Sequence, residues 1–267
     1  MTMTTVHDIY QYLDEIAPFS YQESYDNAGI LIGDRDMAVT GIMVSLDSTA
    51  EVIHDAVNQG CNAVVCHHPI IFSGVKRIDY RHYISKTIVA AIKHDVAIIA
   101  IHTNLDNVLS GGVNEMIASK IGVTNLEILN PNLSLDDSGQ VGAGVIGNLP
   151  SPIPTMDYLA TVKSAMQAGV VKYTALIHDK VSRVAICGGS GSFLLPAAIA
   201  AGADLFITSD YKYHEYFDAN GQIIIADIGH YESEQYTSER LIEVLSGKFG
   251  DLEIQLTEVN TNPVKYL

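Results

Sequence analysis

The feature that most constrains this chain is an alternation of short apolar runs with longer amphipathic ones, and it occurs twice. "TGIMVSLD" (40–47), "CNAVVC" (61–66) and "VAIIAIH" (96–102) read as strands, with helical patterns over 49–59 and over "HYISKTIVAAIKHD" (82–95) between them. Further along, "SRVAICGG", "ADLFITSD" and "GQIIIADIGH" repeat the strand pattern, with "SFLLPAAIAAG" as a helix. Strands alternating with helices of ten or more residues predict βαβ units and parallel pairing. The two runs keep similar register, since Ile42 precedes Gly60 by 18 residues and Val184 precedes Gly202 by 18. The expectation is an α/β fold of two similar halves, each a mostly parallel sheet with flanking helices.

Punctuation marks the other elements. Val6, Ile9, Tyr10, Leu13 and Ile16 lie at helical spacing before Pro18, which predicts a first helix over 6–17. "NAGILIGD" reads as a short strand. Ser48, three residues before Glu51, fits a capping box that opens the 49–59 helix, and Gly60 suits its end. Residues 129–155 concentrate Pro, Gly, Asn and Asp and read as the boundary zone, which gives halves of 1–130 and 131–267, with a C-terminal segment able to pack on the first half.

Bulk properties narrow the function. A formal net charge of −16 repels phosphate backbones, so direct binding to nucleic acid is not expected. Three cysteines without a CxxC pair fit a reducing, cytoplasmic setting. The first residues carry Asp8, Asp14 and Glu15 and do not read as a signal peptide, and no apolar run reaches the length of a membrane span.

Polar residues gather where the predicted strands end, which is where open α/β sheets place ligands. "CNAVVCHHPIIF" ends its strand in His67 and His68, whose side chains start on opposite faces. "HTNLD" supplies His102 and Asp106, and "GHYESE" supplies His230 and Glu234, each pair at i, i+4. Imidazoles and carboxylates at such spacing suit a divalent metal, and the number of groups suits two ions about 3.5–4 Å apart. Each group has a plainer reading: a strand-end histidine as a polar rim residue, Cys66 as a packed core thiol, "GGSGS" (188–192) as a tight turn rather than a phosphate cradle. Lys212 and His214, in "SDYKYHEY", are candidates for substrate contact or proton transfer, or else solvated loop residues.

In combination, "CHHPIIF", "HTNLD", "DYKYHEYFDA" and "GHYESE", with "SYDNAGILIGD" before them, "GGSGS" between and "TNPVKYL" at the end, resemble the NGG-one-interacting-factor-three-like family. Its members form dinuclear-metal hexameric rings and go by the name GTP cyclohydrolase 1 type 2 homolog. The resemblance implies His67 and Asp106 on a first metal, His68 and His230 on a second, and Glu234 bridging both. It places the metal site between the two halves and His102 near it, either supporting the ligands from behind or facing substrate. It implies a homohexamer and, for some relatives, an inserted domain that the 129–155 connection is too short to hold. A metal-dependent hydrolase acting on a nucleotide-like substrate follows as the leading expectation, with His102, Lys212 and His214 as its catalytic candidates. A non-catalytic metal-binding, metal-delivery or regulatory ring protein is the rival. The donor set leaves Zn, Fe, Mn, Ni and Co open.

Overall fold

The computed structural model describes residues 3–267. The chain forms two compact units: one runs to Leu105 and takes up Tyr236–Pro263, and the other is Asp106–Gln235 with Val264–Leu267.

The first unit opens with helix α1 (Val6–Ile16). Thr5 caps it reciprocally, since the Asp8 amide donates to Thr5 Oγ1 while the Thr5 amide donates to Asp8 Oδ2. Its apolar stripe buries Val6, Ile9 and Leu13. Strand β1 (Gly29–Ile32) follows, then β2 (Gly41–Asp47), helix α2 (Ala50–Asn58), β3 (Ala63–His68), helix α3 (Tyr83–Lys93) and β4 (Ala97–Ala100). Strands β2, β3 and β4 pair in parallel, as the two βαβ units require. The short strand β1 differs from its neighbours and runs antiparallel along β4. Thr49, not Ser48, caps α2 through its side chain, so that helix begins one residue later than the Ser48–Glu51 spacing predicts.

One face of this sheet buries Met43, Val64, Cys66 and Ile98 against Val52, Ile53 and Ala56 of α2 and Ala90 and Ala91 of α3. Each such aliphatic side chain contributes roughly 1.5–3 kcal/mol on leaving water. The apolar alternation therefore fixes β3 with Cys66 on this face and His67 on the other.

A one-turn helix, α4 (Thr103–Asp106), leads to the second unit. There come α5 (Val113–Ile121), β5 (Thr124–Pro131), β6 (Gly142–Pro154), α6 (Thr155–Ala165), β7 (Lys172–Tyr173), β8 (Lys180–Ser190), α7 (Leu195–Ala200), β9 (Leu205–Ser209), β10 (Ile224–Asp227) and α8 (His230–Glu234). Its sheet has the order β5-β6-β8-β9-β10-β7. The centre, β8-β9-β10, is parallel, as the repeat pattern predicts, and the remaining pairs are antiparallel, so the sheet as a whole is mixed. Ile146, Ala185, Phe206 and Ile225 pack with Leu195 and Ala198 of α7 on one face. On this unit's β8 also pack α5, α6 and α8.

The stretch expected as a boundary holds a 13-residue strand instead. Three prolines mask β6 in the sequence, yet they are tolerated for a visible reason. Pairing with β5 stops at Asn148, and the β6–β8 register shifts between Asn148 and Ile153, so Pro150 and Pro152 fall where the ladder is interrupted. A division at 130/131 would cut β5 away from its partner β6; the units divide at Leu105 instead. The chain then returns to the first unit as α9 (Thr237–Lys248) and β11 (Glu253–Leu256), which pairs in parallel with β2 at the edge of the first sheet. Among the described residues, no helix is long and apolar enough to cross a membrane.

Candidate metal centre

In the first unit, β3 carries His67 and His68 to the carboxyl end of the sheet. Although neighbours on a strand start on opposite faces, the strand ends at His68, and the two rings lie 4.9 Å apart and tilted by 49°. His102, just past β4, brings a third ring 5.1 Å from His67 and 5.4 Å from His68. One ligand atom from each of the three lies within 4.8 Å of the others.

Each imidazole is anchored through Nδ1. His67, fully buried, sets its Nδ1 2.8 Å from the Ile101 carbonyl. His68 sets its Nδ1 2.8 Å from Asp47 Oδ1, and His102 sets its Nδ1 2.8 Å from Asp26 Oδ1. With Nδ1 engaged, Nε2 is the nitrogen through which each ring would bind a cation. Asp26 is wholly shielded, and it also accepts from the Asn27 amide (2.7 Å), the Thr103 amide (3.0 Å) and the Thr103 hydroxyl (2.5 Å). Burial alone would raise its pKa; the His102 and Thr103 contacts outweigh that and pull it down to about 2.

In the second unit, α8 starts after Gly229 and turns His230 and Glu234 onto one face, as the i, i+4 spacing predicts. His230 Nε2 is 3.1 Å from Glu234 Oε2, and His230 Nδ1 is 2.7 Å from Asp210 Oδ2. Burial would lower the imidazole's pKa, but the two carboxylates prevail and raise it to about 11. Asp210 is itself held low by the His230 and Ser190 hydrogen bonds, against burial.

The glycines of "GGSGS" have a role the sequence did not suggest. Gly189 sits at φ +62°, and a Cβ there would fall on the Glu234 carboxylate, with Gly188 close to Glu234 Cγ. The Gly189 amide donates to Ser233 Oγ, and the hydroxyls of Thr208 and Ser209 donate to the Gly189 carbonyl. This segment is the bed on which α8 and its carboxylate rest. Asn114 ties Asp106 to the same bed, donating to the Asp106 carbonyl and accepting from the Gly188 amide.

The other candidates are exposed. Lys212 is largely exposed and pairs with Glu215 at 3.5 Å, and His214 is exposed beside the Tyr213 ring. His214 belongs to none of the histidine–carboxylate clusters among the described residues. Cys66 is buried, donates to the His68 carbonyl, and has its thiol pushed up to about 12 by burial, which makes it a packed core residue and not a thiolate ligand. The available donors are therefore imidazole nitrogens and carboxylates, a set that fits a borderline divalent cation. Anchoring at the far ring nitrogen is the arrangement that metal-binding histidines characteristically use.

A family model described as Duf34/NIF3 (NGG1p interacting factor 3) matches residues 4–263. A Staphylococcus aureus protein named GTP cyclohydrolase 1 type 2 homolog is 26% identical over 367 aligned positions, covering 98% of this chain and 100% of that protein. Since this chain has 267 residues, at least a hundred of those positions face a gap in it. A Clostridium acetobutylicum protein of the same name is 29% identical over 266 positions, covering 98% of each. Among solved structures, the Staphylococcus aureus hypothetical protein SA1388 superposes with a TM-score of 0.91 at 32% identity, over 100% of each chain. A Bacillus cereus protein related to NIF3 shares the fold with a TM-score of 0.90 at 23% identity, also over 100% of each chain.

Proposed function

Because the chain belongs to the Duf34/NIF3 family, we propose that it holds two divalent cations on His67, His68, Asp106, His230 and Glu234 and acts as a metal-dependent hydrolase on a nucleotide-like substrate. The observation that carries this reading is the shared anchoring of His67, His68 and His230, each tied at Nδ1. That arrangement orients the three rings so that Nε2 is the nitrogen through which each would bind a cation, and at His230 that atom already faces Glu234 Oε2 at 3.1 Å. A bound pair of cations would supply a water acidic enough to ionise near neutral pH. The chain's own part is to orient the imidazoles, to bury Glu234 on the Gly188–Gly189 bed, and to hold a proton-transfer group beside the site. His102 is that group, with Asp26 fixing its Nδ1.

The relatives' name, GTP cyclohydrolase 1 type 2 homolog, makes guanine nucleotides the first substrates to try. The experiment begins with elemental analysis and anomalous scattering from crystals of the wild type and of His67→Ala/His68→Ala. Two ions per chain in the former and a loss in the latter support the ligand set. The metal-loaded protein is then screened against nucleotides, with a phosphoesterase as positive control; no turnover of any nucleotide sinks the hydrolase half.

One observation favours a second reading, a protein that binds or delivers metal without catalysis. Of the three proton-transfer candidates, Lys212 and His214 are exposed, Lys212 paired with Glu215, whereas His102 stands in the cluster with His67 and His68. Ready transfer of metal to an acceptor protein, with no turnover, supports that reading. The family resemblance also supports a homohexamer, which light scattering tests directly.

A further inference from the structure

Two of the proposed ligands are backed by a carboxylate, and one is not. His68 leans on Asp47 and His230 on Asp210, whereas His67 leans on the neutral carbonyl of Ile101. Each aspartate is built in with some care. Asp47 closes β2 and is the direct register partner of His68 on β3, and its second oxygen accepts from the Thr261 hydroxyl at 2.6 Å. Asp210 follows β9 at φ +60°, a left-handed conformation that a residue with a Cβ adopts at a cost. There its Oδ2 takes hydrogen bonds from Ser190 Oγ (2.5 Å) and His230 Nδ1 (2.7 Å). The same device thus arises in both units from different strands: a strand-end carboxylate supports an imidazole carried at the end of, or just beyond, the adjacent strand.

We infer that Asp47 and Asp210 are positioning residues that tune one of the two cation positions, the one held by His68 and His230. A carboxylate at Nδ1 fixes the tautomer with hydrogen on Nδ1 and the electron pair on Nε2, fixes the ring's orientation, and makes the ring a stronger donor. A carbonyl also fixes the tautomer but adds no charge. The His68/His230 position therefore has two carboxylate-backed imidazoles. The position assigned to His67 and Asp106 relies on a carbonyl-backed imidazole and a carboxylate bound directly. This inference rests on the ligand assignment proposed above and goes beyond it, because neither aspartate is in the ligand set.

The test uses the full chain, metal-free and then titrated with Zn²⁺ against a chromophoric chelator. Asp47→Ala and Asp210→Ala are each expected to weaken one of the two equivalents by about 10–100-fold while the other holds its wild-type affinity. Imidazole ¹⁵N–¹H correlation spectra of the metal-free Asp47→Ala variant are expected to show His68 losing its single tautomer, with Asn at position 47 restoring it through Oδ1. A purely structural role would not move that signature. Should an alanine variant fail to fold, Thr261→Val releases one oxygen of Asp47 and is expected to weaken the same equivalent to a smaller extent. Equal weakening of both equivalents, or of neither, overturns the inference. His68→Ala losing an equivalent while Asp47→Ala loses none overturns it and spares the ligand assignment. A wild-type chain that takes up no Zn²⁺ overturns both.

Discussion

The carboxylate of Asp26 lies 2.8 Å from Nδ1 of His102, and its side chain is wholly shielded from solvent. A buried carboxylate costs several kcal/mol unless it is paired and hydrogen-bonded. Here His102, Thr103 and Asn27 supply the donors, and they make the site favour the ionised form. The pKa falls from 3.8 to about 2, so the unfolded chain binds the proton more readily than the folded one. The stabilisation is therefore complete above about pH 5 and disappears as pH falls through 3.8 towards 2. Wild type should exceed Asp26→Asn in unfolding free energy by on the order of 2 kcal/mol at pH 7, with about half of that gap gone by pH 3. Urea unfolding across this range measures it, and a gap that does not narrow in acid would contradict the account.

A ligand that binds the folded chain and not the unfolded one raises its apparent stability. At a hundredfold excess over its dissociation constant, each cation should add about 2.7 kcal/mol. For a chain of this size that amounts to a rise in Tm of roughly 5–10 °C per site, and chelator should reverse it. Glu234→Gln keeps the shape of the side chain buried on Gly188 and Gly189 while removing its charge. Differential scanning fluorimetry should show this variant folding without metal and gaining little or nothing from Zn²⁺. A full wild-type rise in the variant would remove Glu234 from the ligand set.

What could be read from the sequence had local causes. His67 and His68 stand out because two imidazoles close an apolar strand, and His230 with Glu234 because helical spacing alone puts them on one face. The parallel centre of each sheet was legible for the same reason, as strand and helix periods alternate. The orienting aspartates were hidden. Asp47 meets His68 only through the β2–β3 register, and Asp210 meets His230 across twenty residues of intervening chain. Each is a polar residue at a strand end, a weak signal that gains meaning once the neighbouring strand is known. Strand β6 was hidden by its prolines, whose cost depends on an interruption in pairing that no single segment encodes. The glycines at 188 and 189 pointed to a turn, while their reason is a carboxylate arriving from α8, 45 residues downstream of Gly189.

The N-terminus of α1 offers a control for effects unrelated to metal. Thr5 Oγ1 accepts from the Asp8 amide, and the Asp8 carboxylate accepts from the Thr5 amide, which lowers the Asp8 pKa. Replacing a threonine cap by alanine typically costs about 1 kcal/mol. Thr5→Ala should lower the urea midpoint accordingly and leave Zn²⁺ stoichiometry and affinity at wild-type values. A change in metal affinity here would mean that the measured affinities report global stability, and every ligand substitution would need correcting for it.

Gly189→Ala joins backbone strain to the site. At φ +62° an alanine pays roughly 1–2 kcal/mol for the left-handed conformation alone. Its methyl group would also occupy the place of Glu234 Oε1, with His230 Cε1 the next atom in its way. The carboxylate must therefore rotate away, breaking its 3.1 Å contact with His230 Nε2. Gly189→Ala should unfold at lower urea and also lose Zn²⁺ affinity by far more than Thr5→Ala does. Comparing the two variants at matched stability separates the effects: the loss of affinity should persist for Gly189→Ala when temperature is lowered to equalise the folded fractions. If affinity returns to the wild-type value under those conditions, the glycine serves only the turn, and the bed it makes for Glu234 has no part in binding.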